Sequence, residues 1–197
     1  MRNIYQIASR PKWAIQTLLA GQPTFKTLEP YMPKGLSLKH LGLFMNQTFD
    51  GRLSPEIVDE IRQLWKGKLV LKGVTTQEDV QKCIDLGIDG VIVSNHGGRQ
   101  LDQGESAIES LQNLVPLYGD KIKLMMDSGI RTGSDIAAVL GAGAEFSFLG
   151  RSFMYGVSAL GKKGGTHTVE LLKKQLHQVM QQLDCASINQ LSDRLIK

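Results

Sequence analysis

Residues 91–102 read VIVSNHGGRQLD. Three β-branched residues give way to Ser94, Asn95 and His96, then to two glycines and Arg99. An unbroken run of Val and Ile is what a strand buried on both faces requires. A histidine, two conformationally free residues and a guanidinium directly after it extend a core poorly. They suit a strand tip that holds a small anion beside a base.

The same texture recurs three more times, in KLVLKG (68–73), KIKLMMD (121–127) and EFSFLGR (145–151), each an apolar run that stops on a polar group with a glycine nearby. Between the runs lie TQEDVQKCIDLG (76–87), SAIESLQNLVPLYG (106–119) and GSDIAAVLGAG (133–143), which have helical spacing, N-capping residues and glycine stops. The pattern spells β-α-β-α-β-α-β with short connections, followed by a C-terminal helix through 165–184. Buried strands joined by crossover helices imply a parallel sheet. Two architectures fit, the doubly wound sheet and the (β/α) barrel. Lys72, His96, Asp127 and Arg151 all fall at the C-terminal ends of their runs. Barrels build their sites there from several strands at once, with a phosphate site after the last two, whereas an open sheet gathers its ligand at a switch point.

Upstream the chain is less regular. LSPEIVDEIRQLW (53–65) reads as an amphipathic helix and RPKWAIQTLLAG (10–21) as a helix over 11–20 with proline in its first turn. Residues 21–44 contain three prolines and read as a long loop with one helical turn. At 197 residues and 42% hydrophobic composition the chain suits one globular domain. Two cysteines far apart, with no CxxC pair, argue against a disulfide framework or a metal site and point to a reducing cytoplasm. The net charge of +4 is spread among acids rather than gathered in blocks, which gives no nucleic-acid footprint. No run of about 18 apolar residues is present to span a bilayer, and MRNIYQIASRPKW lacks the apolar core of a secretory signal.

Among the strand-tip residues, Lys72 closes a buried run and must reach water, an acid or a ligand. His96 is the usual choice of general base near neutral pH. Arg99 offers a bidentate fork for a carboxylate. A base and a carboxylate clamp so close together suggest a substrate whose acid group adjoins the reacting carbon. Asp127, Gly129 and Arg131, with Gly150 and Arg151, fall after the last two runs. Glycine amides at a helix entrance plus two arginines suit a phosphate monoester.

Taken together, SNHGGRQLD, the upstream LVLKG, DSGIRTGSD and LGAGAEFSFLGRSFMYG resemble the FMN-dependent α-hydroxy-acid dehydrogenase and oxidase family. The resemblance implies an α/β fold of the TIM (β/α)8 barrel type, FMN as cofactor, and oxidation of a small L-2-hydroxy acid, lactate-like, to the 2-oxo acid. It places Lys72 beside the flavin N1 and C2 carbonyl, makes Ser94 a flavin contact, His96 the base and Arg99 the partner of the substrate carboxylate. It gives the ribityl phosphate to Asp127, Ser128, Gly129, Ile130 and Arg131, with Gly150 and Arg151. No metal is implied.

Two departures qualify the resemblance. Only four strand patterns are present, matching strands five to eight of the family's eight. The tyrosines that meet the substrate, the aspartate that orients the histidine and one wall of the flavin site have no counterpart. A half barrel over 53–197, preceded by a connecting segment over 1–52, is therefore expected to pair with an N-terminal half or to form a homo-oligomer; the rival reading is an inactive module that still binds FMN or phosphate. Ser128 stands where the family usually has glycine, and serine there is expected to be tolerated if its φ is negative. Finally, the segment around Trp13, with Arg10 and Lys12, resembles the region through which some members dock on the inner membrane. That adds a peripheral membrane contact to an otherwise cytoplasmic expectation.

Overall fold

A computed structural model describes residues 2–21, 25–33, 38–48, 51 and 53–194. The chain forms two compact units, 1–52 and 53–197. The first contains α1 (Arg2–Ala8), α2 (Pro11–Ala20) and α3 (Leu38–Thr48). The helix expected at 11–20 is present, and Trp13 and Leu18 lie exposed on it. The expectation of a loop with one helical turn through residue 44 is corrected by α3. Past Pro33 the chain is rich in Leu, Lys, Met and Gln, and these good helix formers carry eleven residues of helix across Gly42. No helix among the described residues is long and apolar enough to cross a membrane.

The second unit contains α4 (Pro55–Leu64), β1 (Val70–Val74), α5 (Gln77–Asp85), β2 (Gly90–Val93), α6 (Ala107–Tyr118), β3 (Lys123–Met126), α7 (Gly133–Gly141), β4 (Phe146–Ser147), α8 (Arg151–Leu160) and α9 (Gly164–Gln182). All neighbouring strands pair in parallel, and the order across the sheet is β1-β2-β3-β4. Each strand lies beside the next one in sequence and the order never reverses. That progression is how a (β/α) barrel winds, and it lacks the switch point of a doubly wound sheet.

Helix starts are fixed by side chains. Ser54, Thr76, Ser106 and Thr132 each accept a backbone N–H from the third residue of the helix that follows. Ser106 with Glu109 and Thr132 with Asp135 complete reciprocal capping boxes. After β1 and β3 the capped helix follows the strand within a few residues, whereas the connection from β2 to α6 runs over 94–106.

Register assigns the two faces of the sheet. Leu71, Val91 and Leu124 share one row, and Lys72, Ile92, Met125 and Phe146 share the next. Alternation puts the two rows on opposite faces. The first row packs against Val80 and Cys83 of α5 and Leu111 and Leu114 of α6, and Val91 is fully buried. The second row is the concave face, where Phe146 remains 56% exposed. A helix not expected from the sequence, α8, begins directly on Arg151. The strand before it is only two residues long, so what reads as an extended run through residue 151 has already turned into helix.

Leu111 is fully buried at the centre of the helix-facing core. Leu111→Ala should lower stability by about 3 kcal/mol, seen as a fall in the urea midpoint with an unchanged slope.

Candidate active site

The C-terminal ends of β1, β2 and β3 converge on one polar network. Gly73 is the extra residue where the β1–β2 register shifts between Lys72 and Val74, and its φ is +98°. A bulge built on a left-handed glycine kinks the strand end, just beyond Lys72 on the concave row. The Lys72 Nζ donates to Ser94 Oγ at 2.9 Å and lies 2.9 Å from Asp127 Oδ2. Ser94 is almost wholly buried, and its Oγ also accepts the His96 backbone N–H at 3.2 Å. Both lone pairs of that hydroxyl are thereby used. The buried serine joins the strand carrying the lysine to the turn carrying the histidine.

Asp127 is ionised in this arrangement. Burial raises its carboxyl pKa, but hydrogen bonds from Ser94, Lys72 and Ser128, and the Lys72 charge, outweigh that and hold it below the usual aspartate range. The site thus contains a desolvated carboxylate and an ammonium that satisfy one another.

His96, Gly97 and Gly98 follow with φ values of 56°, 71° and 70°. Three successive left-handed residues form a tight turn that only glycine adopts without penalty. Asn95 Oδ1 accepts from Gly97 N at 3.0 Å and Asn95 O from Gly98 N at 3.1 Å. With His96 N on Ser94, every amide of the turn is bonded within the protein, so the turn presents its imidazole rather than an anion-binding nest. The ring rests on Gly73: a Cβ there would lie 2.8 Å from His96 Cε1. Gly73 is therefore part of the site although sequence reasoning passed over it. Its only signal was a glycine directly after the strand-end lysine.

Arg99 sits outside this network. It is exposed, and makes no hydrogen bond or ion pair among the described residues. The guanidinium that does approach the turn belongs to Arg151, whose Nη2 would lie 3.5 Å from a Cβ placed on Gly97.

The two loops expected to hold a phosphate are brought together. Ser152 Oγ donates to Arg131 O at 2.9 Å, fastening the start of α8 to the loop after β3. Gly129, with φ +82°, and Gly150 both face open space where a Cβ would be. Helix α8 begins at Gly150 with no side chain capping it, so its first amides and positive dipole end are available. Ile130 is buried and anchors its loop in the core, leaving only its backbone for a ligand. Arg131 is less available than expected: its N–H donates to Asp135 Oδ2 at 2.9 Å and its Nη1 folds back to Ile130 O at 3.2 Å.

Ser128 overturns one expectation. Its φ is +77°, not negative. The strained backbone is offset by the hydroxyl, which donates to Asp127 Oδ1 at 2.9 Å and accepts from Gly97 N at 3.1 Å.

Comparison with known proteins agrees with this geometry. The family model described as FMN-dependent dehydrogenase matches residues 1–197. An L-lactate dehydrogenase of Actinobacillus pleuropneumoniae serotype 5b is 35% identical over 181 residues, covering 91% of this chain and 48% of its own length. One from Alcaligenes faecalis is 32% identical over 197 residues, covering 100% and 52%. Among solved structures, a mandelate oxidase variant with (S)-mandelic acid superposes with a TM-score of 0.68 at 33% identity, over 71% of this chain and 42% of that one. Another mandelate oxidase structure carries a monooxide FMN adduct and superposes equally well. The chain spans about half the length of the curated relatives it matches.

Two consequences are measurable. Gly73→Ala should cost about 1–2 kcal/mol from the positive φ alone, and should also push the imidazole away, moving the His96 Cε1–H resonance; a variant with native stability and an unmoved resonance would contradict the contact. For Asp127 the folded pKa lies below the unfolded one, so its contribution is complete above the ordinary aspartate range and fades as pH falls through the depressed folded value. Asp127→Asn should be less stable than the parent at neutral pH, and the gap in melting temperature should narrow as the solution is acidified.

Proposed function

Because the chain belongs to the FMN-dependent dehydrogenase family, we propose that it supplies the base and the phosphate-holding half of a site that oxidises a small, lactate-like L-2-hydroxy acid to the 2-oxo acid. The observation that carries this reading is the convergence, at one end of the sheet, of the Lys72–Ser94–Asp127 network, the His96 imidazole on Gly73, and Arg151 beside Gly97. FMN is the cofactor of the family and supplies, when bound, the two-electron acceptor that the oxidation needs. The residues fit it: the uncapped start of α8, the open backbone at Gly129 and Gly150 and the Arg151 guanidinium suit its phosphate, and Lys72 offers a cation within the same network.

In this reading His96 takes the proton from the substrate hydroxyl. Its ring is exposed at the mouth and its backbone is held rigidly, so the proton acceptor is fixed in place and reachable from solvent. Arg99, with no partner to give up among the described residues, pairs with the substrate carboxylate. Gly73 sets the ring's position by having no side chain.

The concave face requires cover. Val70 and Phe146 on it, together with Phe148, are 42%, 56% and 39% exposed, an apolar surface on the side where a barrel is filled. Among the described residues the outer edges of β1 and β4 also lack a strand partner. A complementary unit that pairs these edges completes the barrel and the second wall of the site. The rival reading is a module that binds FMN or phosphate without turnover.

The test is reconstitution: the chain is mixed with FMN and the N-terminal half of the Alcaligenes faecalis L-lactate dehydrogenase, then passed over a sizing column. Flavin absorbance should elute with the complex and bleach on addition of L-lactate. His96→Ala should retain flavin without bleaching, and Arg151→Met should weaken flavin retention by about tenfold or more, as expected for losing a charge-assisted hydrogen bond. Retention without bleaching by the unaltered chain would favour the non-catalytic reading, and no retention would end both.

A further inference from the structure

We propose that Ser128 is the positioning residue for the histidine turn: its hydroxyl clamps the Gly97 amide at the tip of β2 to the Asp127 carboxylate at the tip of β3. Four observations meet at this one side chain. Its φ of +77° is a conformation that costs a non-glycine residue about 1–2 kcal/mol. Gly129, which follows with φ +82°, shows that this loop uses glycine where only backbone shape is needed. Ser128 Oγ accepts from Gly97 N at 3.1 Å and donates to Asp127 Oδ1 at 2.9 Å. It also lies 3.5 Å from Ser94 Oγ, the hydroxyl that holds the His96 amide.

The donor and acceptor inventory gives the clamp a direction. A serine has one proton to give and two lone pairs to receive. The proton goes to Asp127 Oδ1, while the other carboxylate oxygen holds Lys72. One lone pair takes the Gly97 N–H. An unbroken run of hydrogen bonds therefore leads from the backbone beside the base, through Ser128, to the charge pair. Asn95 Oδ1 also accepts from Gly97, but it belongs to the same turn and cannot fix the turn relative to the sheet. Ser128 can, because it stands in the loop directly after β3. The consequence for proton transfer rests on the proposed function; the clamp itself is a property of the ligand-free chain.

The experiment is amide exchange and proton NMR on the full ligand-free chain, comparing the parent with Ser128→Ala and Ser128→Gly. Both variants lose the clamp, but only Ser128→Gly also relieves the backbone strain, so it separates geometry from general destabilisation. The expected result for both is at least tenfold faster exchange of the Gly97 amide and loss of the ring-current displacement that His96 imposes on the Gly73 α-protons. The amides of Val91 and Leu124 should keep parental protection. If Ser128→Ala does not fold, Ser128→Gly decides alone. Parental Gly97 exchange and an unmoved Gly73 signal in Ser128→Gly would overturn the inference. Because the readout needs no FMN, failure of flavin retention in the reconstitution leaves this inference standing, and its failure leaves the FMN reading standing.

Discussion

The Lys72–Asp127 ion pair is the constraint on which the site depends. Two charges drawn partly out of water must be matched closely or the desolvation cost dominates. Here the match fixes the tips of β1 and β3 to each other at 2.9 Å. Ser94, buried just past the end of β2, accepts hydrogen bonds from the lysine ammonium and the histidine amide. Three strand ends are therefore held by groups that each have one way to be satisfied. Contrast the opposite end of the sheet, where Arg62 and Lys68 pair with Asp89, and Lys123 with Glu145. Lys68 and Lys123 are largely exposed, and such pairs contribute little to stability beyond local tethering. Arg62 and Asp89 are themselves partly buried, with side chains 19% and 26% exposed, but only the C-terminal end couples its buried charge to the histidine turn.

Backbone conformation does the rest of the positioning. Gly73 in the β1 bulge and the left-handed run 96–98 are two halves of one fit: the kinked strand leaves a flat spot, and the turn lowers an imidazole onto it. His96 itself pays for a positive φ, and strain of that kind persists only where surrounding bonds over-determine the conformation. The amides of 96, 97 and 98 are all bonded internally, which supplies that determination.

Much of this was legible in the sequence because the information was periodic or terminal. Four apolar runs with polar ends point to the parallel sheet, and Ser or Thr before α4, α5, α6 and α7 marks where those helices start. Of the residues expected at the strand ends, Lys72, Ser94 and Asp127 converge in one hydrogen-bonded network. What escaped was conformational. Nothing in the letters of DSGIR says that the serine takes the left-handed conformation, because the reason lies on another strand, in the Gly97 amide. Gly73 reads as a strand terminator, whereas the ring of His96, twenty-three positions further along the chain, rests on it. Helix α8 was hidden because β4 is so short that strand and helix share a single apolar stretch. The prominence given to Arg99 likewise came from its nearness in sequence to His96, whereas the guanidinium beside the turn comes from Arg151, on the far side of the sheet order.

That short β4 connects the sheet edge left unpaired among the described residues to the end proposed to hold the phosphate. Phe146 and Phe148 lie with ring centroids 5.0 Å apart on the exposed side, and the chain enters α8 within three residues of Phe148. Arg151, the first residue of that helix, reaches Gly97, and Ser152 holds Arg131. A strand added to the free edge of β4 would bury the two phenylalanines and fix the very segment that aims the α8 amides. An anion bound at α8 would order the same segment from the other side. Two ligands that each favour one conformation of a shared element favour each other's binding by equal free energies. Under the proposed function, closure of the sheet and binding of a phosphate at α8 are thus expected to be mutually reinforcing, since both act through the few residues that join Phe146 to Ser152.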